Sequence, residues 1–289
     1  MRSAILSVKL LKTTLFVLFL FGPLKVFPQP APLRHGFAHN DYFHSRPLLD
    51  ALDNGFTYIE ADIFLMDDEL IAAHFNPYFR EHKTLEDLYF KPLAKRFSQN
   101  NGQIFEGYDA NIVLMIDIKT DADDTYDRLK KLLKKYSFML SGYHNGVVTD
   151  GSVTVVLSGN KPYARIKSEA DRLAFIDEDL RKTGSDTTAV NVYKLSSCKY
   201  SRILRWNGRG EFPDVEKNRL CAYVRMAHKF GKKVRLWASP EKAVVWEQLL
   251  NCGVDLINTD KLSELRDFLL ARSQNYDSNS TAMIKNEGH

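Results

Sequence analysis

Glu60 and Asp62 stand two apart in YIEADIFL, and Asp117 and Lys119 stand two apart in LMIDIKTD. In an extended chain such pairs point to one face, so each projects from the same side of a largely apolar run. Carboxylates gathered against an apolar background repel one another and are costly to desolvate; a divalent cation removes that cost. Glu60, Asp62 and Asp117 would form an all-oxygen site suited to one Mg²⁺ or Ca²⁺, and no cysteine pair or HExxH spacing points to zinc. For one such pair alone, an ion pair with Lys119 or an arginine is the plainer explanation. Its repetition on a second run favours the metal.

Histidines flank these acids. HGFAHNDYFHS carries His35, His39 and His44 ahead of the first acidic run, and His74 follows it in ELIAAHF. Either His39 or His74 alone reads as a core or surface residue. One on each side of a cation suits a general base and a general acid acting on a phosphodiester. His35 and His44 lack such a partner and read as surface or supporting residues. Asn40 ends the first run beside His39. Asn160, in SGN, is a candidate substrate contact, although a turn is the commoner reason for that tripeptide. Lys194 is the single charge in AVNVYKL, at an expected strand end, where a phosphate contact and a structural ion pair are both open.

The elements that must hold these residues alternate in type. FAHND, YIEADIFL, NIVLMIDIKT, VTVVLSG, LAFIDE, AVNVYKL, KVRLWAS and VDLINTD read as strands, mostly apolar on both faces as parallel strands under helices must be. Between them lie amphipathic stretches such as TLEDLYFKPLAKRF, TYDRLKKLLKKYS and NRLCAYVRMAHKFGK, and Gly55, Gly231 and Gly253 close helices just before strands. Only YARIKSEADR offers a short helix between Phe138 and Phe175. Eight strands in about 240 residues, with no Gly-rich dinucleotide fingerprint, predict an α/β fold, a single-domain (β/α)8 TIM barrel over 31–271. Function would then sit at the C-terminal strand ends.

The order His-Asn, ExD, a later histidine, DxK and a tryptophan-bearing strand before GVDLINTD resembles the phospholipase C-like phosphodiesterase superfamily of TIM barrels. GFTYIEADIFLMDDELIAAHF is similar to the E-x-D block of glycerophosphodiester phosphodiesterases. AHNDY, TLEDLYFKPL, LMIDIKTD and VVLSGN more specifically resemble the HNDY-type branch, that of the altered-inheritance-of-mitochondria-6 proteins. The resemblance covers most of residues 35 to 270. It implies a phosphoric diester hydrolase with His39 and His74 as catalytic pair, Glu60, Asp62 and Asp117 on the metal, and Lys119 on the phosphate or the third carboxylate. Trp237 matches an aromatic position at the barrel mouth, core packing being the alternative. The sequence departs in having His39-Asn40 where glycerophosphodiesterases have His-Arg, and Arg46-Pro47-Leu48 where they have Glu-Asn-Thr. The lost arginine removes a bidentate anion contact, for which Arg46 or Lys119 are candidates. Asp117 with Lys119 resembles the spider-venom sphingomyelinase D relatives instead. A small-molecule or lipid phosphodiester is the implied substrate, the latter with transient contact to a membrane surface. A barrel that binds phosphate or lipid head groups without turnover is the alternative.

Residues 1–30 follow the plan of a secretory signal peptide: Arg2, Lys9 and Lys12, then the apolar TLFVLFLFG ending at Gly22-Pro23. Cleavage is expected near Val26 to Pro30, giving a secreted or periplasmic protein, and an uncleaved anchor is the alternative. The chain has 40 Lys and Arg against 36 Asp and Glu, and Arg2, Lys9, Lys12 and Lys25 lie in that leader, which leaves 36 against 36. The neutral remainder gives no support for a nucleic-acid partner. Three cysteines, Cys198, Cys221 and Cys252, imply buried thiols with at most one bridge. The polar stretch 272–289 reads as a disordered tail.

Overall fold

A computed structural model describes residues 30–77, 83–183 and 193–286, with side chains as far as residue 275. Eight parallel strands close into a barrel: β1 (Leu33–Ala38), β2 (Phe56–Met66), β3 (Ile112–Ile118), β4 (Val153–Gly159), β5 (Phe175–Asp179), β6 (Tyr193–Lys199), β7 (Lys233–Trp237) and β8 (Leu256–Thr259). Each pairs with its sequence neighbours, and β1 pairs with both β2 and β8, so no barrel edge is left open. All eight runs picked out by their apolar composition supply a barrel strand. The expected signal peptide lies outside the described residues.

Helices cover the outside: α1 (Leu49–Asp53), α2 (Lys91–Gln99), α3 (Ala122–Lys135), α4 (Tyr163–Ser168), α5 (Asp214–Lys229), α6 (Ala243–Asn251) and α7 (Leu262–Asn286). α3 shows the local logic. Asp121 caps it by accepting from the amides of Asp123 and Asp124, Lys134 and Lys135 meet the negative end of its dipole, and its Leu129, Leu132 and Leu133 are buried. Gly55, Gly231 and Gly253 have positive φ, as expected of residues that end a helix and turn into a strand. The weak middle region resolves into α4 and a small antiparallel sheet of 142–144, 147–149 and 171–172. α7 is anchored by buried Leu262, Leu265 and Leu269 and runs to Asn286, so most of the expected tail is helical. A helix already nucleated by packed turns adds residues at little cost, and polarity alone does not end it.

Two apolar layers hold this frame. The larger lies between strands and helices; the smaller fills the barrel with Phe37, Tyr58, Val113, Met115, Val156, Phe175, Leu195 and Leu256. The interior is thus a plug on which the polar C-terminal mouth rests. Cys221, on α5, is disulfide-bonded to Cys252 at the end of α6, while Cys198 is a buried free thiol, in keeping with at most one bridge. Phe175→Ala is expected to cost about 3–5 kcal/mol in chemical denaturation through the cavity left in the plug. A loss under about 1 kcal/mol would mean that the interior is not close-packed there.

Candidate active site at the barrel mouth

Strand register brings the acids together. Asp62 is the direct partner of Asp117 across β2 and β3, and Asp117 is that of Ser158 across β3 and β4. One oxygen from each of Glu60, Asp62 and Asp117 falls within 4.8 Å of the others, a hard-donor set that a divalent cation could share. Glu60 is 4% and Asp62 2% exposed. Lys119 lies 2.8 Å from Asp117 Oδ1 and 3.0 Å from Asp62 Oδ2, the carboxylate contact foreseen as one of its two roles. Burial pulls the Lys119 pKa down, but the two aspartates override it and hold the ammonium above its ordinary value. Ser158 Oγ donates to Asp117 at 2.9 Å. Gly159, at φ 65°, makes the approach possible, since a Cβ there would stand 2.5 Å from Asp117 Oδ1.

Both predicted histidines reach this cluster by distinct routes. His39 follows β1; its Nδ1 is 2.7 Å from Asp260 Oδ1, beyond β8, and its Nε2 is 3.7 Å from Glu60 Oε2. A proton on Nδ1 donated to Asp260 leaves Nε2 facing the cavity. Burial lowers the His39 pKa, but the Asp260 hydrogen bond and the charges of Glu60 and Asp260 outweigh it and raise the net value. Burial opposes ionisation of Asp260, and its contacts to His39 prevail, so its pKa is lowered. His74 arrives on a hairpin: Glu69–Ala72 folds back antiparallel on β2, and Ala73 N–H donates to Asp62 O at 3.1 Å. His74 Nδ1 then stands 3.0 Å from Asp62 Oδ2.

The HNDY turn supplies a link that sequence reading missed. Asn40 adopts the left-handed conformation it tolerates well, at φ 47°, and the Tyr42 hydroxyl lies 2.7 Å from Asn40 Oδ1, 2.8 Å from Asp62 Oδ2 and 3.1 Å from His74 Nδ1. Buried Asp41 pins the turn by accepting from Leu48 N–H at 2.5 Å.

On the far side, Arg235 of β7 is 3% exposed and donates to Glu60 Oε2 at 3.1 Å and Asn258 Oδ1 at 3.3 Å, its guanidinium 4.2 Å from the Phe37 ring centre. Burial drives the Glu60 pKa up, with Arg235 and His39 opposing. Arg235 lines the cavity, which measures about 410 Å³, and Lys161, Arg181, Lys199 and Arg202 line it too. Arg46, a candidate for the missing anion contact, is instead held by Asp50 and Asp53 outside the cavity. Period-two spacing was the available signal, because Arg235 stands two before Trp237, Ser197 two before Lys199 and Asn258 two before Asp260.

Trp237 does line the mouth, 38% exposed, with Lys199 Nζ 5.5 Å from its ring centre. Two expected contacts fall elsewhere. Asn160 turns to the backbone, donating to the carbonyls of Lys119 and Thr120, so it braces β4 against β3 and Gly159 and Lys161 line the cavity in its place. Lys194 lies at the opposite end of the barrel, in a separate cavity of about 770 Å³, its Nζ 4.8 Å from the Phe175 ring centre. The strand begins at Tyr193 and continues through Ser196, Ser197 and Cys198, so Lys194 is at its start. Residues 189–192 of that run lie outside the described residues.

A closed parallel barrel with histidines and clustered carboxylates at its C-terminal mouth matches the architecture expected of a phosphodiesterase barrel. The chain belongs to the family of AIM6-like phosphodiesterase domains, whose sequence profile matches residues 29–177. That segment holds His39, Glu60, Asp62, His74 and Asp117. The chain is similar to Altered inheritance of mitochondria protein 6 of Eremothecium gossypii, at 27% identity over 80% of this chain and 68% of the relative. Its counterpart in Lachancea thermotolerans is 27% identical over 79% of this chain and 64% of the relative. The homolog in Arthroderma benhamiae is 23% identical over 80% and 82%.

The His39–Asp260 pair makes a pH-dependent contribution with two edges. A raised histidine pKa stabilises the fold below the unfolded histidine value, and that gain is lost as pH rises through the folded one. A lowered aspartate pKa stabilises above its unfolded value and is lost as pH falls through the folded one. Asp260→Asn is therefore expected to lower the His39 pKa in an NMR imidazole titration and to destabilise most between those two edges. An unchanged His39 titration would show that Asp260 does not govern it.

Proposed function

We propose that this barrel is a divalent-cation-dependent phosphodiester hydrolase acting on a glycerophosphodiester or phospholipid head group. The observation that carries this reading is the meeting of Glu60, Asp62 and Asp117 with two carboxylate-held histidines at one barrel mouth. Glu60, Asp62 and Asp117 would hold the cation, Mg²⁺ or Ca²⁺ by their oxygen chemistry. When bound, it supplies charge neutralisation at the non-bridging phosphate oxygens.

The protein's own groups do the rest. One histidine takes the proton of the attacking hydroxyl, from water or from a neighbouring substrate hydroxyl, as the new O–P bond forms. The other gives a proton to the leaving oxygen as its P–O bond breaks. Asp260 orients His39, and Asp62 with Tyr42 orients His74, so each ring keeps one nitrogen for chemistry. Buried Arg235 opposes the charge on Glu60, and Lys119 opposes that on Asp62 and Asp117. The alternative of a barrel without turnover is motivated by two departures, the arginine missing beside His39 and Arg46-Pro47-Leu48 in place of Glu-Asn-Thr. Only the first bears on cations in the cavity. Arg235, Lys161 and Lys199 bring cationic groups to the same cavity and weaken that motive. The same reading has the mature chain exported, supported by the leader's composition and by a disulfide of the kind that persists in oxidising compartments.

The test is hydrolysis of bis(p-nitrophenyl) phosphate and of glycerophosphodiesters by protein stripped with EDTA, then resupplied with Mg²⁺, Ca²⁺ or Mn²⁺. Turnover should appear only with metal and should fall about a hundredfold to ten-thousandfold in His39→Ala. Glu60→Ala should lose metal binding as well. Turnover that survives exhaustive chelation would refute the cation's role, and metal binding without turnover on any phosphodiester would favour the binding barrel.

A further inference from the structure

The mouth is electrically divided. Lys119 is paired with Asp62 and Asp117, Arg235 with Glu60, and Arg181 with Asp179. Glu178 is neutralised from behind the cavity wall by buried Lys232. Three cations that line the cavity, Lys161, Lys199 and Arg202, have no acidic partner within ion-pair distance among the described residues. Lys161 stands on the loop after β4, Lys199 ends β6 and Arg202 follows it, across the mouth from the histidines.

Charge counting gives this arrangement a meaning. Six acids and six cations line the cavity, and Lys232 removes Glu178 from the balance, leaving one positive charge in excess. A divalent cation raises the excess to about three, and a phosphodiester anion removes only about one of these. Near two positive charges then face the substrate unanswered, close to the −1.5 to −2 that a phosphate monoester carries at neutral pH. A second observation points to the same ligand. Asp177, 7% exposed and lining the cavity, has an Oδ1 with no hydrogen-bond partner. A buried acceptor without a donor is costly, and a hydroxyl on the ligand would satisfy it.

We propose that Lys161, Lys199, Arg202 and Asp177 form a head-group subsite that selects phosphodiesters whose polyol head group bears a further phosphate. The subsite rests on the phosphodiesterase reading above for its link to turnover. Its affinity for the head group is read separately from turnover, although the charge count above includes the proposed cation.

The test compares glycerophosphoinositol with glycerophosphoinositol 4-phosphate as substrates. Alongside, calorimetry compares inositol 1-phosphate with inositol 1,4-bisphosphate as ligands of wild type and of Lys199→Ala/Arg202→Ala. The additional phosphate should raise kcat/KM and affinity about tenfold, with the advantage shrinking at about 0.5 M salt. In the double variant both ratios should fall toward unity, and Lys161→Ala should move them the same way. Asp177→Asn should weaken binding of both inositol phosphates. Equal use and equal binding of the two members of each pair would overturn the subsite, as would a preference untouched by the variants. A binding preference without turnover of either substrate would favour the binding barrel over the phosphodiesterase reading and leave the subsite standing.

Discussion

The ion pair between Glu60 and Arg235, buried at the floor of the mouth, is the contact on which the rest of the site depends. Neither charge reaches water appreciably, and taking either alone out of water costs several kcal/mol. The pair joins β2 to β7 across the barrel, residues 175 apart in sequence. Asn258 and Ser197 satisfy further guanidinium hydrogens, and the Phe37 ring beneath joins the charged layer to the apolar plug. The plug therefore sets the height at which Glu60 is held, and Glu60 sets where the other carboxylates can gather.

From that floor the mouth divides by strand. β1 to β3 bring the histidines and the clustered carboxylates, and the loop after β4 and the end of β6 with the turn beyond it bring cations. Parallel register with alternating side chains is enough to produce this arrangement, because every second residue near a strand's C-terminal end faces inward. On the proposed reading, one side would take the reacting phosphate and the other what is attached to it.

Much of this was legible in the sequence, for physical reasons. Strands buried on both faces announce themselves as apolar runs, so all eight could be found, and Glu60, Asp62 and Asp117 stood out as acids within such runs. That Asp62 would lie beside Asp117 depends on register, which no single strand encodes. Arg235 was hidden because an arginine inside an apolar run gives no sign of which carboxylate will receive it. Lys194 misled because the strand continued through Ser196 and Ser197, whose polarity resembles a strand end. Asn160 misled because its backbone lies at the mouth while its amide bonds to carbonyls of the neighbouring loop.

The pairing of His39 with Asp260 spans 221 residues and sits on the seam where β1 meets β8. In a growing chain the histidine emerges near the start and must wait for almost the whole domain before its partner exists. Joining such distant segments is among the longest loop closures in the fold, so this hydrogen bond is expected among the later contacts to form. A chain that ends before β8 carries Glu60, Asp62, Asp117 and both histidines, yet it lacks the aspartate bonded to His39. On the proposed reading, chemical competence would thus be tied to completion of the ring, and an unfinished barrel would be held inert by its own topology.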